Sequence, residues 1–437
     1  MIKVLKNSLS VIFIVILAII PLIIWFFMSP LALRFSSSST SFRSLGQLTG
    51  LSGMALLSIN FILAARFRFL DKLFNGLNVV YIKHHLIGAI AFCLLLFHPT
   101  FLIIQYLYIS LKSSFLFIFS MQNWAINLGE LSLLVFIVLM VFTFYFNFKY
   151  QNWKNTHKYL GIVLLLGGLH MLLIPSDISN NVTLKYYMLG LAIIGAYSYF
   201  YRTILGVYKK GEYKYKLEKI IKVNDNVVEL KLSPLARKIK FLPGQFVFLR
   251  FDNNGILSES HPFSITSCTD DDNLSLGIKT LGDYTSMVYL LKPGAICLIE
   301  GPFGAFSYTK SNSKRQIWIA GGIGITPFLS MARQINSGKV DKNYKIDLYY
   351  SVKNSNEAVF SDELAEISKQ NDNFKFYQHF SEKDGRISAN SVVKNNSDIH
   401  NVEIFLCGPS EFMRSLRSQF VKLGFDNSKI YSEEFSL

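Results

Sequence analysis

The sequence predicts a membrane α-helical bundle of six transmembrane helices, then an antiparallel β-barrel domain, then an α/β Rossmann-like domain. Three observations carry this. Six apolar runs follow one another up to Arg202, short alternating segments fill roughly 213–307, and beyond them an apolar strand runs into a glycine turn that opens a helix. The limits expected from these shifts are 1–208, 209–308 and 309–437.

Composition agrees. Of the 437 residues 51% are hydrophobic, with 38 Phe whose excess lies in the first half. The net charge is +15, yet no basic cluster is interleaved with aromatics, so nucleic acid is not the expected partner. Membrane topology and an anionic nucleotide account for the charge instead. The cysteines, Cys93, Cys268, Cys297 and Cys407, stand too far apart for a CxxC pattern. That spacing argues against an iron–sulfur cluster or a zinc site within the chain, and nothing in it supports a disulfide framework.

The expected spans are 9–28, 45–65, 84–107, 128–148, 157–174 and 184–205, each close to the roughly 20 apolar residues a bilayer requires. The first follows Lys3 and Lys6 but lacks a small-residue cleavage site, so it reads as a retained span and not as a signal peptide. The segment 115–121 is too short to span and is expected at the interface or in a loop. Basic residues crowd one side: Arg66, Arg68, Lys72 and Lys83, then Lys149, Lys154 and Lys158, then Arg202, Lys209 and Lys210. By the positive-inside rule both termini and the soluble half are cytoplasmic.

Ionisable side chains inside spans mark function. Two similar cassettes stand out: His84-His85-Leu86-Ile87-Gly88 running to His98, and His157-Lys158-Tyr159-Leu160-Gly161 running to His170. At about 1.5 Å rise per residue the two levels lie roughly 20 Å apart. Side by side, two such helices offer one His pair near each face, each able to grip an iron from both axial sides as in a low-spin b-type haem. His84 matches the spacing to Gly88 that His157 has to Gly161; His85 gives the thirteen-residue spacing of the other pair, so both remain candidates.

In the soluble half, Val227-Val228-Glu229-Leu230-Lys231-Leu232 alternates as a strand, and Pro243-Gly244-Gln245 precedes another. The segment His261-Pro262-Phe263-Ser264-Ile265-Thr266-Ser267 supplies the aromatic and proline wall and the hydroxyls that a flat isoalloxazine needs. Gly282 followed by Tyr284-Thr285-Ser286 offers backbone approach to a pyrophosphate at a helix start. Farther on, Gln316-Ile317-Trp318-Ile319-Ala320 leads into Gly321-Gly322-Ile323-Gly324-Ile325-Thr326-Pro327. That turn provides a tight bend, room for phosphate and a helix dipole. Strands at 345–351 and 403–406 follow, the second ending in Cys407-Gly408-Pro409.

Taken in this order, these residues resemble the flavocytochrome superfamily of NADPH oxidases and ferric reductases, prokaryotic type, over nearly the whole chain. The resemblance implies two b haems, held by His84 with His157 and by His98 with His170. It implies FAD against His261, Pro262, Phe263, Ser264 and Thr266, with its pyrophosphate at Gly282 and Thr285. It implies NAD(P)H at Gly321, Gly322, Gly324, Thr326 and Pro327, with Cys407 beside the nicotinamide. Phe435, in the ending Glu433-Glu434-Phe435-Ser436-Leu437, would cover the flavin. Lys353, where relatives carry an arginine near the adenosine 2′-phosphate, favours NADPH over NADH.

The activity this implies is an electron relay from cytoplasmic NAD(P)H through FAD and haem, across a bacterial inner membrane. The acceptor is dioxygen, giving superoxide, or a ferric chelate; a third arrangement feeds a separate membrane or periplasmic protein. The loops 29–43, 108–127 and 175–182 would decide among them and carry no acceptor motif.

Overall fold

The computed structural model describes residues 2–119, 123–146, 148, 150–205, 212–252, 259–311, 313–338, 344–394 and 401–433. The chain divides into two compact units, Met1–Phe74 with Val79–Val207, and Asn75–Asn78 with Tyr208–Leu437.

The described part of the first unit is helical. Its principal helices are α1 (Ile2–Met28), α2 (Ser38–Ala64), α3 (Leu77–Leu107), α4 (Trp124–Tyr145), α5 (Tyr150–Lys158), α6 (Leu160–Leu173) and α7 (Val182–Tyr199). Among the described residues five stretches are long and apolar enough to cross a membrane: Ser10–Met28, Ser38–Ala64, Leu77–Leu107, Trp124–Tyr145 and Asn152–Leu173. The sixth expected span is α7 running on into a π-helix, Phe200–Ile204; Lys185 and five tyrosines dilute its apolar character. The segment expected as interface or loop forms a short helix, Leu111–Phe119, up to its last described residue. Exposed side chains of the long helices are apolar, among them Ile16, Phe27, Phe97, Leu134 and Ile193, the inverse of a water-facing surface.

Local chemistry sets the helix starts. Ser37 caps α2: its hydroxyl accepts from the Thr40 N–H, and the Thr40 hydroxyl accepts from the Ser37 N–H. Asn123 caps α4 by accepting from Ala125 and Ile126. Helix α2 packs against α1 and α7, and α4 packs against α6.

The second unit opens with six strands: β1 (Tyr213–Lys222), β2 (Val227–Pro234), β3 (Phe246–Phe251), β4 (His261–Ser264), β5 (Leu274–Lys279) and β6 (Ile296–Phe303). They pair antiparallel in the order β4-β3-β6-β1-β2-β5. A single bridge, Ile265 to Leu276, brings the end of β4 back to β5. Alternate residues such as Tyr215, Leu217, Leu230, Leu232, Val247 and Leu249 fill the interior. A short helix, α8 (Asp283–Val288), follows β5.

The remainder is a parallel sheet of β7 (Arg315–Gly321), β8 (Lys345–Val352), β9 (Phe374–Phe380), β10 (Glu403–Cys407) and β11 (Ile430–Glu433) in the order β11-β10-β7-β8-β9. Helices α9 (Thr326–Asn336), α10 (Ser361–Gln370) and α11 (Ser410–Lys422) accompany it. Burial on both sheet faces explains the unbroken apolar runs: Trp318, Leu348 and Phe405 face one core, Ile317, Ile404 and Leu406 the other. The strand order reverses between β7 and β10. In such sheets that switch point opens a crevice at the carboxyl ends of the strands, where ligands bind.

Candidate functional site

In the helical unit the four cassette histidines come together in two pairs. His84 and His157 stand with ring centres 6.2 Å apart, and His98 and His170 6.4 Å apart. Two imidazoles bound to opposite sides of one metal, each about 2 Å from it through nitrogen, have ring centres about 6 Å apart. Both pairs therefore have the separation that axial ligation of one iron requires. Among the described residues no three or more His, Cys, Asp or Glu side chains group as a metal site, so the arrangement is one of pairs and not of a cluster.

Backbone carbonyls orient these rings. His98 Nδ1 meets the carbonyl of Gly46 at 2.7 Å, His170 Nδ1 that of Ala125 at 2.7 Å, and His84 Nδ1 that of Asn60 at 3.2 Å. An Nδ1–H given to a carbonyl fixes the tautomer and leaves Nε2 to bind metal. His157 is held differently: its Nδ1 is buried without a hydrogen-bond partner, and Trp153 stacks on the ring at 5.1 Å. His85 is exposed, 5.8 Å from the His84 ring.

One turn past two of these carbonyls stands a glycine. A Cβ on Gly50 would lie 2.7 Å from His98 Nδ1, and one on Gly129 would lie 2.7 Å from His170 Nδ1. Each glycine clears the approach of an imidazole to a carbonyl already used in the helix. Sequence reading missed this function; its visible trace is the Gly46-x-x-x-Gly50 spacing on α2, which marks close helix approach.

In the barrel, His261, Pro262 and Phe263 form a partly exposed edge along β4, with Ser264 buried at its end. The ring of Tyr284 packs 4.1 Å from His261 and stacks with Phe263 at 6.1 Å, and its hydroxyl donates to the Leu249 carbonyl. Burial raises the Tyr284 phenol above its ordinary value. His261 Nε2 lies 3.1 Å from the Glu259 carboxylate. Thr266 is fully buried and donates its hydroxyl to Glu229 at 2.6 Å, so that hydroxyl points inward. Gly282 caps α8, and Thr285 Oγ1 accepts from the N–H groups of Leu281 and Gly282 at 2.8 and 3.1 Å. Among the described residues, no atom beyond Gly282 and its two chain neighbours lies within 4 Å of where a Gly282 side chain would start. The turn is thus braced by Thr285 and open above Gly282.

At the switch point, β7 ends at Gly321 and β10 at Cys407. Gly322 takes a left-handed φ of 55°, and a 3₁₀ turn, Gly322–Ile325, joins the strand to α9. A Cβ on Gly324 would lie 2.4 Å from the Cys407 carbonyl, so the two loops touch only because Gly324 has no side chain. Thr326 starts α9, its hydroxyl donating to Ile323, and Pro327 occupies its first turn, where its missing N–H costs nothing. Cys407 is fully buried with Sγ 3.7 Å from the Glu433 carbonyl; burial, then Glu433, raises its thiol well above the usual range. Both effects keep the thiol in its neutral form. Lys353 is exposed just past β8; its carbonyl accepts from Glu382 N, and Asn354 beside it donates to the Glu382 carboxylate. Phe435 lies outside the described residues.

Comparison with known proteins assigns the parts. Residues 49–168 match the family described as ferric reductase like transmembrane component, 212–307 an FAD-binding domain, and 318–418 an oxidoreductase NAD-binding domain. The chain is similar to flavohemoprotein A of Dictyostelium discoideum, 24% identical over 50% of this chain and 59% of that one. It is also similar to the 2-halobenzoate 1,2-dioxygenase electron transfer component of Burkholderia cepacia, 26% identical over 47% and 62%. The chain thus spans about 60% of the length of these relatives. Among solved structures, the flavohemoglobin of Malassezia yamatoensis with bound FAD and heme is 18% identical. It covers 91% of this chain and 98% of its own, with a TM-score of 0.51, a likeness of fold.

Proposed function

From the premise that this membrane oxidoreductase has the architecture of NADPH oxidases and ferric reductases, we propose that it moves electrons from cytoplasmic NAD(P)H across the bilayer. The route uses FAD on the barrel and two b-type haems, with dioxygen as the acceptor on the far side. When bound, the nicotinamide nucleotide supplies a hydride, FAD converts the electron pair into single electrons, and the haems relay them.

One observation carries the reading: two histidine pairs, ring centres 6.2 and 6.4 Å apart, on two cassettes whose levels differ by roughly 20 Å. His84 with His157 would hold the inner group, His98 with His170 the outer one. The Gly321–Pro327 turn and the buried Cys407 surface would receive the nucleotide at the strand switch point, and Lys353 favours a 2′-phosphate there. His261, Pro262, Phe263 and Ser264 would wall the flavin, with Gly282 and the Thr285-braced turn at its pyrophosphate. Thr266 would act from behind that wall, and Phe435 would cover the ring. His98 and His170 would together hold the outer group from both sides, and the acceptor would then be reduced without binding its metal.

A ferric-chelate reductase of the same architecture is the second reading, supported by the family matched over 49–168; an electron feeder to a separate partner is the third. The test is NADPH-driven turnover of detergent-purified protein loaded with haem and FAD, in oxygen and then anaerobically with a ferric chelate. Superoxide-dismutase-sensitive turnover in oxygen supports the oxidase. Fast ferric reduction with slow oxygen use replaces it with the reductase, and haem reduction without turnover points to the partner.

A further inference from the structure

Helix α9 begins at the nucleotide-binding glycine turn and lies along the chain segment that continues the flavin wall. Four positions on one face, Thr326, Ser330, Arg333 and Gln334, follow the helical spacing i, i+4, i+7 and i+8. Each meets that segment or its support. The Thr326 methyl reaches the space above Gly277 beside the Thr266 methyl. Ser330 donates to the Ser267 carbonyl at 2.7 Å. Gln334 Oε1 accepts from the Thr269 N–H and hydroxyl at 2.9 and 2.6 Å.

Arg333 is the centre of this seam. Its guanidinium forks onto Glu363 of α10, with Nε at 2.6 Å and Nη2 at 2.8 Å. On its other side Nη1 donates to Glu229 of β2 at 2.6 Å and to the Thr266 carbonyl at 3.1 Å. Glu229 is buried and also accepts the Thr266 hydroxyl at 2.6 Å. One planar cation therefore binds the nucleotide domain to the flavin barrel through the same residue that follows the flavin wall. A guanidinium suits this because its donors lie in a rigid fork; a lysine can supply charge there but not the same simultaneous directions.

We propose that Arg333 is a positioning residue for hydride transfer, fixing the register between the nucleotide turn at the head of α9 and the flavin wall at 261–264. The proposal rests on the function argued above, since it presupposes NAD(P)H and FAD at those two places. A nicotinamide carbon must stand about 3–3.5 Å from the flavin, and a misplacement of about 1 Å costs about 100-fold in rate. Arg333 itself touches neither reactant in this account. It holds the two walls.

The test uses full-length protein with FAD in detergent. Anaerobic stopped-flow bleaching of the flavin by NADPH and by NADH gives the reduction rate at saturation, and titrations give the dissociation constants of both. Amide hydrogen exchange over residues 264–271, on protein with and without FAD, reads the seam independently of turnover. For Arg333→Met the expected result is about a 10- to 100-fold slower saturated reduction, dissociation constants for FAD and nucleotide within about twofold, and faster exchange at Thr269; Arg333→Lys recovers only part of the rate. Should Arg333→Met not fold, Arg333→Lys decides alone: slowed reduction with intact flavin binding supports the proposal. Wild-type reduction rates in either variant overturn it, as does a loss confined to flavin affinity. If the wild-type flavin is bleached by neither nucleotide, the functional reading has failed instead, whatever the exchange data show.

Discussion

The most consequential single-residue features are two glycines that no chemical motif announces. Gly50 and Gly129 each leave the space that an imidazole ring occupies, so a side chain there must displace His98 or His170. If the two proposed haems are bound, Gly129→Val is expected to remove the outer one while leaving the inner one, halving the haem per protein in a pyridine haemochrome assay; Gly50→Val should do the same. His98→Ala and His170→Ala should match that loss, and an unchanged haem content in either histidine variant would remove the outer site. The histidines themselves were legible in the sequence because ionisable residues in apolar runs stand out. Their carbonyl partners at Gly46, Asn60 and Ala125 were not, since a backbone acceptor has no residue signature. Arg333 and Glu229, 104 positions apart, escaped for another reason: each is an ordinary charge in an ordinary amphipathic element until the fold brings them together.

At the scale of elements, the alternating strands were legible from period, the strand–glycine–helix unit from its glycines and the apolar spans from their length. The pairing order β4-β3-β6-β1-β2-β5 was not, because it depends on long-range register. Titratable groups buried inside these elements set an alkaline limit. Burial pushes the Cys297 thiol up to about 12, and burial then Glu433 raise Cys407. An acid whose folded value lies above its unfolded value of about 8.5 contributes stability that is complete below that pH and fades as pH climbs toward the folded value. The guanidinium midpoint of the soluble unit is therefore expected to fall between about pH 8.5 and 12. Cys297→Ser, which keeps a donor for the Tyr215 carbonyl, should flatten that fall; an identical slope would rule the thiol out. In the helical unit, buried Arg34 pairs with Asp177 at 3.0 Å and lies over the Trp25 ring at 3.8 Å. Arg34→Ala is expected to destabilise that unit by about 3 kcal/mol, seen as a lower melting temperature in detergent, whereas a surface pair would leave it within error.

In the whole molecule a membrane helical unit carrying two histidine pairs is joined to a unit with flavin- and nucleotide-binding domains, and the central proposal is that electrons cross the bilayer. In the proposed topology the basic residues beside the spans, Arg66, Arg68, Lys72 and Lys83 among them, would put the nucleotide side in the cytoplasm. The direct measurement is made on sealed vesicles carrying the full-length protein with haem and FAD, with ferric cytochrome c trapped inside and NADPH added only outside, under anaerobic conditions. Reduction of the trapped cytochrome c is expected, abolished by His98→Ala and His170→Ala. Reduction of cytochrome c only when it is supplied on the same side as NADPH would contradict it.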